Sequence, residues 1–507
     1  MKKSVLLYLI LIQIGCSAVD NEKPNILFIM SDDHATKAIS VYGSSLIQTP
    51  NIDRIANEGV RFDNCFCTNG ICAPSRAAIL TGKYSHKNGV RDNRQDFDGS
   101  QITVSKLLQS AGYTTAIIGK WHLKSDPTGF DYWNILPGQG SYYNPDMIEL
   151  GKKQRYEGYV TDIITDQALN WLENRDRSKP FLLLYQHKAP HRNWMPAIRH
   201  LMLFDDKDLP VPDNFFDDYT SRSDAARQQE MEIGRHTYPA FDLKFTPDPG
   251  DSTDYAFWES QYQRFTPAQK SAWDEYYTSE NRKLTGLKPD SPEMKIYKYQ
   301  RYIKDYLRCV AAIDENVGRM LDYLEKNDLR ENTIVIYTSD QGFFLGEHGW
   351  FDKRFMYEEA LRMPLMIRYP GGIPAQGSDS HLVLNIDFAP TLLDYAGLDI
   401  PPDMQGQSLH RLLSGYPDPD WRNEIYYHYY EYPGWHMVKK HYGIRTNRYK
   451  LIHFYHDIDA WELFDLRKDP SEMHNIYNQG ENELLIDSLK SKLDQLITAY
   501  GDTTVPR

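Results

Sequence analysis

Two apolar runs, each followed closely by acidic residues, constrain the fold of this chain more than any other feature. Residues 25–30 read N-I-L-F-I-M and precede Asp32 and Asp33, and residues 333–337 read T-I-V-I-Y and precede Asp340. Apolar runs without polar alternation are typical of strands that are buried on both faces of a parallel sheet. The carboxyl ends of such strands share one edge, where open α/β folds hold their sites. The pattern therefore predicts an α/β protein whose acidic residues meet at one sheet edge.

Helices alternate with further strands in the same region. Apolar residues recur at helical spacing over residues 160–172 and 303–324. Further strands are expected at residues 114–118, 181–185 and 364–367. This alternation predicts a sandwich in which a large sheet lies between helices.

Two segments depart from the alternation. Residues 200–295 are rich in Asp, Pro, Tyr and Phe without a sustained period, which indicates a long surface insertion with short helices. From residue 421 onward, short strands and a final helix over residues 481–500 predict a small antiparallel sheet with a C-terminal helix. We therefore expect a catalytic domain over residues 24–415, which contains the insertion, and a C-terminal subdomain over residues 421–507.

The N-terminus has the pattern of an export signal over residues 1–18. Two lysines precede an apolar run over residues 5–14, which is too short to span a bilayer as a helix. The tetrapeptide Q-I-G-C resembles a bacterial lipoprotein box and predicts acylation of Cys16, but Gln stands where Leu is usual, so cleavage after Ala18 stays open. In both cases we expect an exported protein, in the periplasm or attached to the outer membrane, that contacts a membrane only through a lipid anchor.

Residues 72–82 read C-A-P-S-R-A-A-I-L-T-G and have the local chemistry of an anion site. Pro74 suits the first turn of a helix, so Cys72 is expected just ahead of that helix. A nucleophile or bound anion there lies at the positive end of the helix dipole. Arg76, one turn into the helix, can direct its guanidinium group at the same anion. Taken singly, each of these residues is as well explained by a turn before an ordinary helix.

Taken together, residues 72–82 match the C-x-P-S-R-x-x-x-L-T-G signature, and the chain resembles the type I, formylglycine-dependent sulfatases from about residue 24 onward. The resemblance implies an alkaline-phosphatase-like sandwich with a smaller C-terminal domain, and it implies hydrolysis of a sulfate ester. It also implies that a maturation enzyme oxidises Cys72 to formylglycine, whose hydrated aldehyde attacks the sulfur. Of the five cysteines, Cys16 is assigned to the lipid and Cys72 to catalysis, which leaves three. An odd number cannot pair completely, so we expect buried free thiols rather than a disulfide framework.

The resemblance also implies a metal site. The expected ligands are Asp32, Asp33, Asp340 and Gln341, together with Cys72 as formylglycine. Oxygen ligands alone suit a hard cation, with calcium first and magnesium second. Adjacent acids at the end of a strand are equally common as helix N-caps, so the Asp32–Asp33 pair by itself leaves both interpretations open.

Three further blocks match catalytic motifs of the family. The block G-K-W-H-L at residues 119–123 implies that Lys120 bridges nucleophile and sulfate, and that His122 takes a proton from the second hydroxyl of the hydrate. The block H-K-A-P-H implies that His191 lies beside the leaving group, which needs an acid because a sugar alkoxide leaves poorly. Lys353 matches the remaining sulfate-binding lysine. Without the family context, such charges at strand ends are usually a solvated edge.

Within the family, the segments that begin at His187, Phe351 and His436 look most like bacterial N-acetylglucosamine-6-O-sulfatases, which act on glycosaminoglycan or mucin sugars. The residues expected at the sugar are Asp352, Arg354, His436 and His441. A carboxylate beside an arginine is suited to binding a diol. A formal net charge of −13 argues against a nucleic-acid partner and favours small sulfated sugars over a heavily sulfated polymer.

Three alternatives stay open. The chain could be another carbohydrate sulfatase, such as an iduronate-2-sulfatase type, or a phosphonate or phosphate monoester hydrolase that shares the signature. If Cys72 is not oxidised, the pocket would instead bind sulfated sugars without turnover.

Overall fold

The computed structural model describes residues 23–284, 286–416 and 418–506, so the predicted export signal and Cys16 lie outside the described residues. The strands are β1 Asn25–Ser31, β2 Val60–Phe62, β3 Cys65–Phe66, β4 Thr114–Lys120, β5 Tyr132–Leu136, β6 Asp146–Glu149, β7 Lys152–Arg155, β8 Phe181–Gln186, β9 Thr333–Ser339, β10 Leu365–Arg368, β11 Gly377–Asp379, β12 Val383–Leu384, β13 Glu424–Tyr429, β14 His441–Thr446, β15 Tyr449–Phe454 and β16 Ala460–Asp465. The α-helices are α1 Pro50–Asn57, α2 Cys72–Thr81, α3 Ser85–Asn88, α4 Val104–Ser110, α5 Val160–Asn174, α6 Asp224–Gln228, α7 Ser252–Tyr262, α8 Pro267–Arg282, α9 Pro292–Lys326, α10 Glu358–Leu361, α11 Phe388–Tyr395, α12 His410–Leu413 and α13 Glu483–Tyr500.

A large mixed sheet has the order β11-β2-β10-β9-β1-β8-β4-β5-β6-β7. Strand β1 pairs in parallel with β9, which places Ser31 opposite Ser339, and with β8, which places Met30 opposite Gln186. Strand β4 continues the parallel part and places Gly119 opposite the same Gln186. The carboxyl ends of β9, β1, β8 and β4 therefore meet at one edge of the sheet, as the two acid-terminated apolar runs predict.

The sheet separates two hydrophobic cores. Along β1, Ile26, Phe28 and Met30 enter one core, while Leu27 and Ile29 enter the other. Helices α2, α4 and α11 pack together over the first core, and α1, α5 and α9 cover the second. Helices on both faces of a mixed sheet confirm the predicted α/β sandwich of the alkaline-phosphatase type.

A second, antiparallel sheet follows in the order β13-β14-β15-β16, and α13 packs across it. Its residues belong to the first core, so this sheet is not separate from the large one. It packs against the segment that follows β9, where Phe355 lies 6.0 Å from Phe454 and Tyr357 lies 5.6 Å from Phe464, measured between ring centroids. This packing brings the C-terminal residues to the edge where the central parallel strands end.

Buried ion pairs join the antiparallel sheet to helix α10 and to the segment that follows β16. Lys450 of β15 is fully buried and lies 3.0 Å from Glu358 and 2.7 Å from Glu472. Arg445 of β14 pairs with the same Glu358 at 3.2 Å. Because these charges are desolvated, each depends on its partners.

We expect Lys450→Met to lower the free energy of unfolding by about 3–5 kcal/mol, because it leaves the buried carboxylate of Glu472 without a cation and removes one of the cations beside Glu358. Urea unfolding followed by circular dichroism measures this loss. Lys492→Met is the control: it breaks a partly exposed 3.0 Å pair with Glu424 and should change the free energy of unfolding by no more than about 1 kcal/mol. Equal losses in the two variants would contradict a structural role for the buried pairs.

The segment 200–295 holds more regular structure than the sequence indicates. Helices α7 and α8 are 11 and 16 residues long, and Trp273 and Tyr277 of α8 enter the second core. A capping box of Thr266 and Gln269 starts α8, and this signal is readable in the sequence T-P-A-Q. The helices lack a long apolar stripe because they bury few positions, which is why periodicity did not reveal them.

Cysteine usage agrees with the sequence analysis. Within the part of the chain that the structure describes, Cys65, Cys67, Cys72 and Cys309 are buried free thiols. No helix among these described residues has the length and apolar character needed to cross a membrane.

Candidate active site

Three carboxylates converge beyond the ends of β1 and β9. Asp32 and Asp33 follow β1, Asp340 follows β9, and one carboxylate oxygen from each lies within 4.8 Å of the others. All three residues are fully buried. Burial raises the pKa of Asp33, and Asp340 raises it further, although Lys353 opposes the shift. Buried acids this close to one another are stable as carboxylates only beside positive charge.

Gln341 adds a fourth group to this cluster. Its Nε2 donates to Asp33 and, at 2.8 Å, to Asp340, while its Oε1 is buried without a partner. Rotating the amide by 180° exchanges the two atoms and directs Oε1 at the carboxylates. Four buried oxygen donors then face one point, which fits a hard divalent cation. The N-cap interpretation of the acids is wrong, because Ala35 caps the short helix that follows, without a side-chain hydrogen bond.

Cys72 is the first residue of α2 and faces the same cluster. Its Sγ donates to Asp32 Oδ1 at 3.4 Å. Burial raises the pKa of the thiol, so the unmodified side chain is protonated and a weak nucleophile at neutral pH.

Arg76 does not line the cavity above Cys72, contrary to the expectation that it points at a bound anion. Its Nη2 lies 3.0 Å from Asp340 Oδ2. Its Nη1 donates to the carbonyl oxygen of Lys120 at 2.8 Å and to Gln186 Oε1 at 2.9 Å. Arg76 therefore supports the acidic cluster and ties α2 to the ends of β4 and β8.

Lys120 and His122 follow β4 into the site. Lys120 is fully buried, forms an ion pair with Asp32 and donates to Gln139 Oε1 at 2.5 Å. His122 lines the cavity, and its Nδ1 is buried without a partner. Burial and the charge of Lys120 lower the pKa of His122, which leaves a neutral imidazole that can accept a proton.

His191 lies in the loop after β8. Its Nδ1 contacts the carbonyl oxygen of Arg192 at 2.7 Å. Because a carbonyl oxygen only accepts, Nδ1 carries the hydrogen and Nε2 is the free position. Nε2 lies 3.8 Å from Asp33 Oδ2. Burial lowers the pKa of His191, and nearby lysines lower it further.

Lys353 and Lys188 line the cavity, whereas Lys120 lies beneath it. Lys353 donates to Asp33 Oδ2 at 2.6 Å. Burial alone would lower the pKa of Lys353, but Asp33 and other nearby groups outweigh burial and raise it. Sequence reasoning assigned no role to Lys188, whose pKa burial lowers to about 8. Its position between two histidines after a buried strand was the signal that could have identified it.

Asp352, Arg354 and His436 form the outer wall beside Lys353. Asp352 Oδ1 accepts from Arg354 Nε at 3.0 Å, and Asp352 Oδ2 lies 3.4 Å from His436 Nε2. Arg354 also contacts Glu431 Oε2 at 2.5 Å, a partner that sequence reasoning missed. Asp352 and Arg354 have φ values of 76° and 92°, a left-handed backbone that costs free energy for a non-glycine residue and that the surrounding contacts must hold in place.

His441 does not line the cavity. Its Nδ1 donates to the carbonyl oxygen of Lys439 at 2.7 Å, and its Nε2 accepts from the backbone N–H of Met356 at 3.1 Å. Both ring nitrogens are therefore used inside the packed sheet. Of the two histidines expected from the C-terminal segment, the structure brings only His436 to the cavity.

The cavity above Cys72 has a volume of about 400 Å³ and is built from three parts of the chain. The sheet edge supplies the charged floor. The insertion supplies Tyr238, Phe241 and Phe257, and the C-terminal segment supplies Trp435, which is 56% exposed. A cationic floor beside aromatic walls suits an anionic group that is attached to a sugar.

Comparisons with known proteins agree with this geometry. The sequence model of the sulfatase family matches residues 24–398, and that of the N-sulphoglucosamine sulphohydrolase C-terminal region matches residues 346–499. The chain is 53% identical to an N-acetylglucosamine-6-O-sulfatase of Bacteroides thetaiotaomicron, over 95% of this chain and 88% of that protein. It is 26% identical to human N-acetylglucosamine-6-sulfatase, over 83% of this chain and 71% of that protein.

A solved structure, of a complex with its substrate D-glucosamine-2-N,6-O-disulfate, is also similar. It is 53% identical, has a TM-score of 0.92 and covers 95% of this chain and 99% of that chain. The family match, the high identity and this shared fold lead to one conclusion. The chain belongs to the sulfatase family of sulfuric ester hydrolases.

Proposed function

We propose that this protein hydrolyses the 6-O-sulfate of N-acetylglucosamine in sugars from glycosaminoglycans or mucin glycans. The observation that carries the proposal is one cavity that holds Cys72 at its base and the cluster of Asp352, Arg354 and His436 at its wall. The relative at 53% identity has this activity in its name, and the substrate of the similar solved complex is a 6-O-sulfated glucosamine. The substrate is accordingly a sulfated mono- or oligosaccharide.

The acidic cluster fits the metal ion of the family. Asp32, Asp33, Asp340 and Gln341 would hold it together with residue 72, and we propose calcium, with magnesium as the second choice, because the donors are oxygens. When bound, the ion polarises sulfate oxygens as a Lewis acid. Formylglycine, made from Cys72 by a maturation enzyme, supplies a hydroxyl nucleophile in place of the protonated thiol.

The chain's own residues bind the sulfate and move protons. Lys120, Lys188 and Lys353 neutralise the sulfate and orient it. His122, a neutral imidazole that lines the same cavity as Cys72, accepts a proton from the group at position 72. His191 Nε2 donates a proton to the departing sugar oxygen, a contribution of roughly 10²–10⁴ in rate. A bound sulfate brings negative charge to this ring and favours its protonated form.

A screen of sulfated monosaccharides tests this function. We expect kcat/KM for 6-O-sulfated N-acetylglucosamine to exceed that for 3-O-sulfated or N-sulfated glucosamine and for 2-O-sulfated uronic acid by about tenfold or more. A preference for the 2-O-sulfated uronic acid would overturn the substrate. Comparable turnover of N-acetylglucosamine 6-phosphate would favour a phosphate monoester hydrolase, and a matured protein that binds these sugars without turnover would be a binding protein.

Arg354→Ala should lower kcat/KM for the 6-O-sulfated sugar by about tenfold or more, a loss of about 1.4 kcal/mol. The guanidinium group is held by Asp352 and Glu431 toward the sugar side of the cavity, so 4-nitrophenyl sulfate, which lacks ring hydroxyls, should be hydrolysed as by wild type. Lys353→Ala is the contrasting variant and should reduce both activities. Equal losses on both substrates in Arg354→Ala would place Arg354 in the sulfate-binding machinery.

We also propose that the protein is exported, through the signal over residues 1–18, and is anchored by lipid on Cys16 or released after Ala18. The proposed domain limits remain residues 24–415 and 421–507. Mass spectrometry of the mature N-terminus from the native host distinguishes the two cleavage sites.

A further inference from the structure

The loop that carries His191 is bound to the inserted segment by an ion pair. Arg192 donates from Nε and Nη2 to the two carboxylate oxygens of Asp242, at 2.7 and 2.6 Å. Asp242 is fully buried, and its Oδ2 also accepts from the backbone N–H of Tyr238 at 2.7 Å. A bidentate arginine–carboxylate pair that is shielded from water fixes orientation as well as distance.

Aromatic rings enclose the guanidinium group of Arg192. Its central carbon lies 5.0 Å from the ring centroid of Tyr238, 5.9 Å from that of Phe241 and 5.3 Å from that of Phe351. Two of these rings belong to the insertion and one belongs to the segment after β9. The side chain therefore has a defined position that depends on Asp242 for its charge balance.

Lys244 gives the same loop a second attachment. Its Nζ donates to the carbonyl oxygens of Asn193 at 2.7 Å, Trp194 at 2.9 Å and Asp242 at 2.7 Å. It also lies 3.2 Å from Asp305 in the long helix α9. The backbone just after His191 is thus oriented by the insertion, which is itself bound to the core.

The ring of His191 depends on this backbone. Its Nδ1 hydrogen is donated to the carbonyl oxygen of Arg192, which also accepts from Lys188 Nζ at 3.3 Å. If the peptide plane after Arg192 rotates, Nδ1 of His191 loses its hydrogen-bond acceptor. The imidazole ring is then free to turn, and Nε2 no longer points in one fixed direction. A hydrogen bond at one ring nitrogen sets the tautomer and the task of the other.

We propose that the Arg192–Asp242 ion pair is a positioning device that aims His191 Nε2 at the leaving oxygen of the substrate, so that the inserted segment serves proton transfer. This inference rests on the proposed function, in which His191 is the acid. In that step the sulfur–oxygen bond to the sugar breaks, the sugar oxygen keeps the bonding electrons and takes the Nε2 proton, and the sulfuryl group passes to the nucleophile at position 72. Asp242 does not line the cavity and acts through Arg192, which does.

A double-mutant cycle with His191→Ala tests the proposal. Asp242→Asn preserves the side-chain shape but replaces one acceptor with a donor and removes the charge. On the sugar that wild type hydrolyses best, we expect Asp242→Asn to lower kcat by about tenfold or more with little change in KM. In the His191→Ala background the same substitution should lower kcat less than about twofold, because the group it positions is gone.

Asp162→Asn is the control, since Asp162 binds Arg199 in a bidentate but more exposed pair at 2.7 and 2.9 Å. It should leave kcat unchanged in both backgrounds. If Asp242→Asn fails to fold, Arg192→Lys replaces it in the cycle, because lysine keeps the charge but cannot make the bidentate contact. Equal losses in both backgrounds would show a merely structural role and overturn the proposal. Failure of the proposed substrate would appear separately, in the wild-type screen.

Discussion

A Cys72→Ala protein should release no measurable sulfate from any ester and, with calcium removed from both proteins, should unfold at the wild-type temperature. The substitution removes one sulfur atom, which contacts Asp32 at 3.4 Å and Gln341 at 4.0 Å, so the packing loss is small. The same atom is the precursor of the nucleophile, and without a nucleophile the covalent route is closed. Sulfate release measured by ion chromatography, together with thermal unfolding, checks both halves of the prediction.

Cys67→Ala is the matched control for this experiment. Cys67 is another buried free thiol of the same segment, and its Sγ faces the carbonyl oxygen of Ala360 at 3.8 Å rather than the acidic cluster. Its alanine variant should keep wild-type activity. Cys72→Ser should be inactive unless the maturation system accepts serine. Unchanged sulfate release from purified Cys72→Ala would end the formylglycine hypothesis.

The central sheet was predictable because burial on both faces leaves a continuous apolar run in the sequence. Strands β1 and β9 have this form, and their parallel register explains why Asp32 and Asp340 converge. The edge strands were not predictable in this way. Strand β7 reads K-K-Q-R and is exposed throughout, so neither hydrophobic alternation nor an apolar run marks it.

The outer wall of the site depended on contacts that no local pattern encodes. His436 and His441 lie in one short segment, and only the structure shows that His441 uses both ring nitrogens inside the sheet. The contact between Arg192 and Asp242 joins residues 50 positions apart across an irregular segment. Hydrophobic periodicity reports which residues share a face of one helix or strand, so it cannot predict a contact between residues of two distant segments.

Calcium binding at the acidic cluster should have a large effect on both stability and sulfate release. We expect calcium to raise the melting temperature of the wild-type protein and a chelator to lower it and stop sulfate release, because Asp32, Asp33 and Asp340 are buried together. A ligand that binds only the folded state adds about 2.7 kcal/mol of stability at a hundred times its dissociation constant. Differential scanning fluorimetry with and without calcium measures the shift.

Asp340→Ala should remove both the calcium-dependent shift and sulfate release. It will also destabilise the calcium-free protein, because Arg76 loses the carboxylate that lies 3.0 Å from its Nη2. Asp387→Ala separates the two effects, since Asp387 is an equally buried partner of an arginine, Arg422, but does not belong to the acidic cluster. That control should lose stability and still respond to calcium. A wild-type calcium shift in Asp340→Ala would mean that the ion binds elsewhere, because a carboxylate that the ion contacts cannot be removed without weakening its binding.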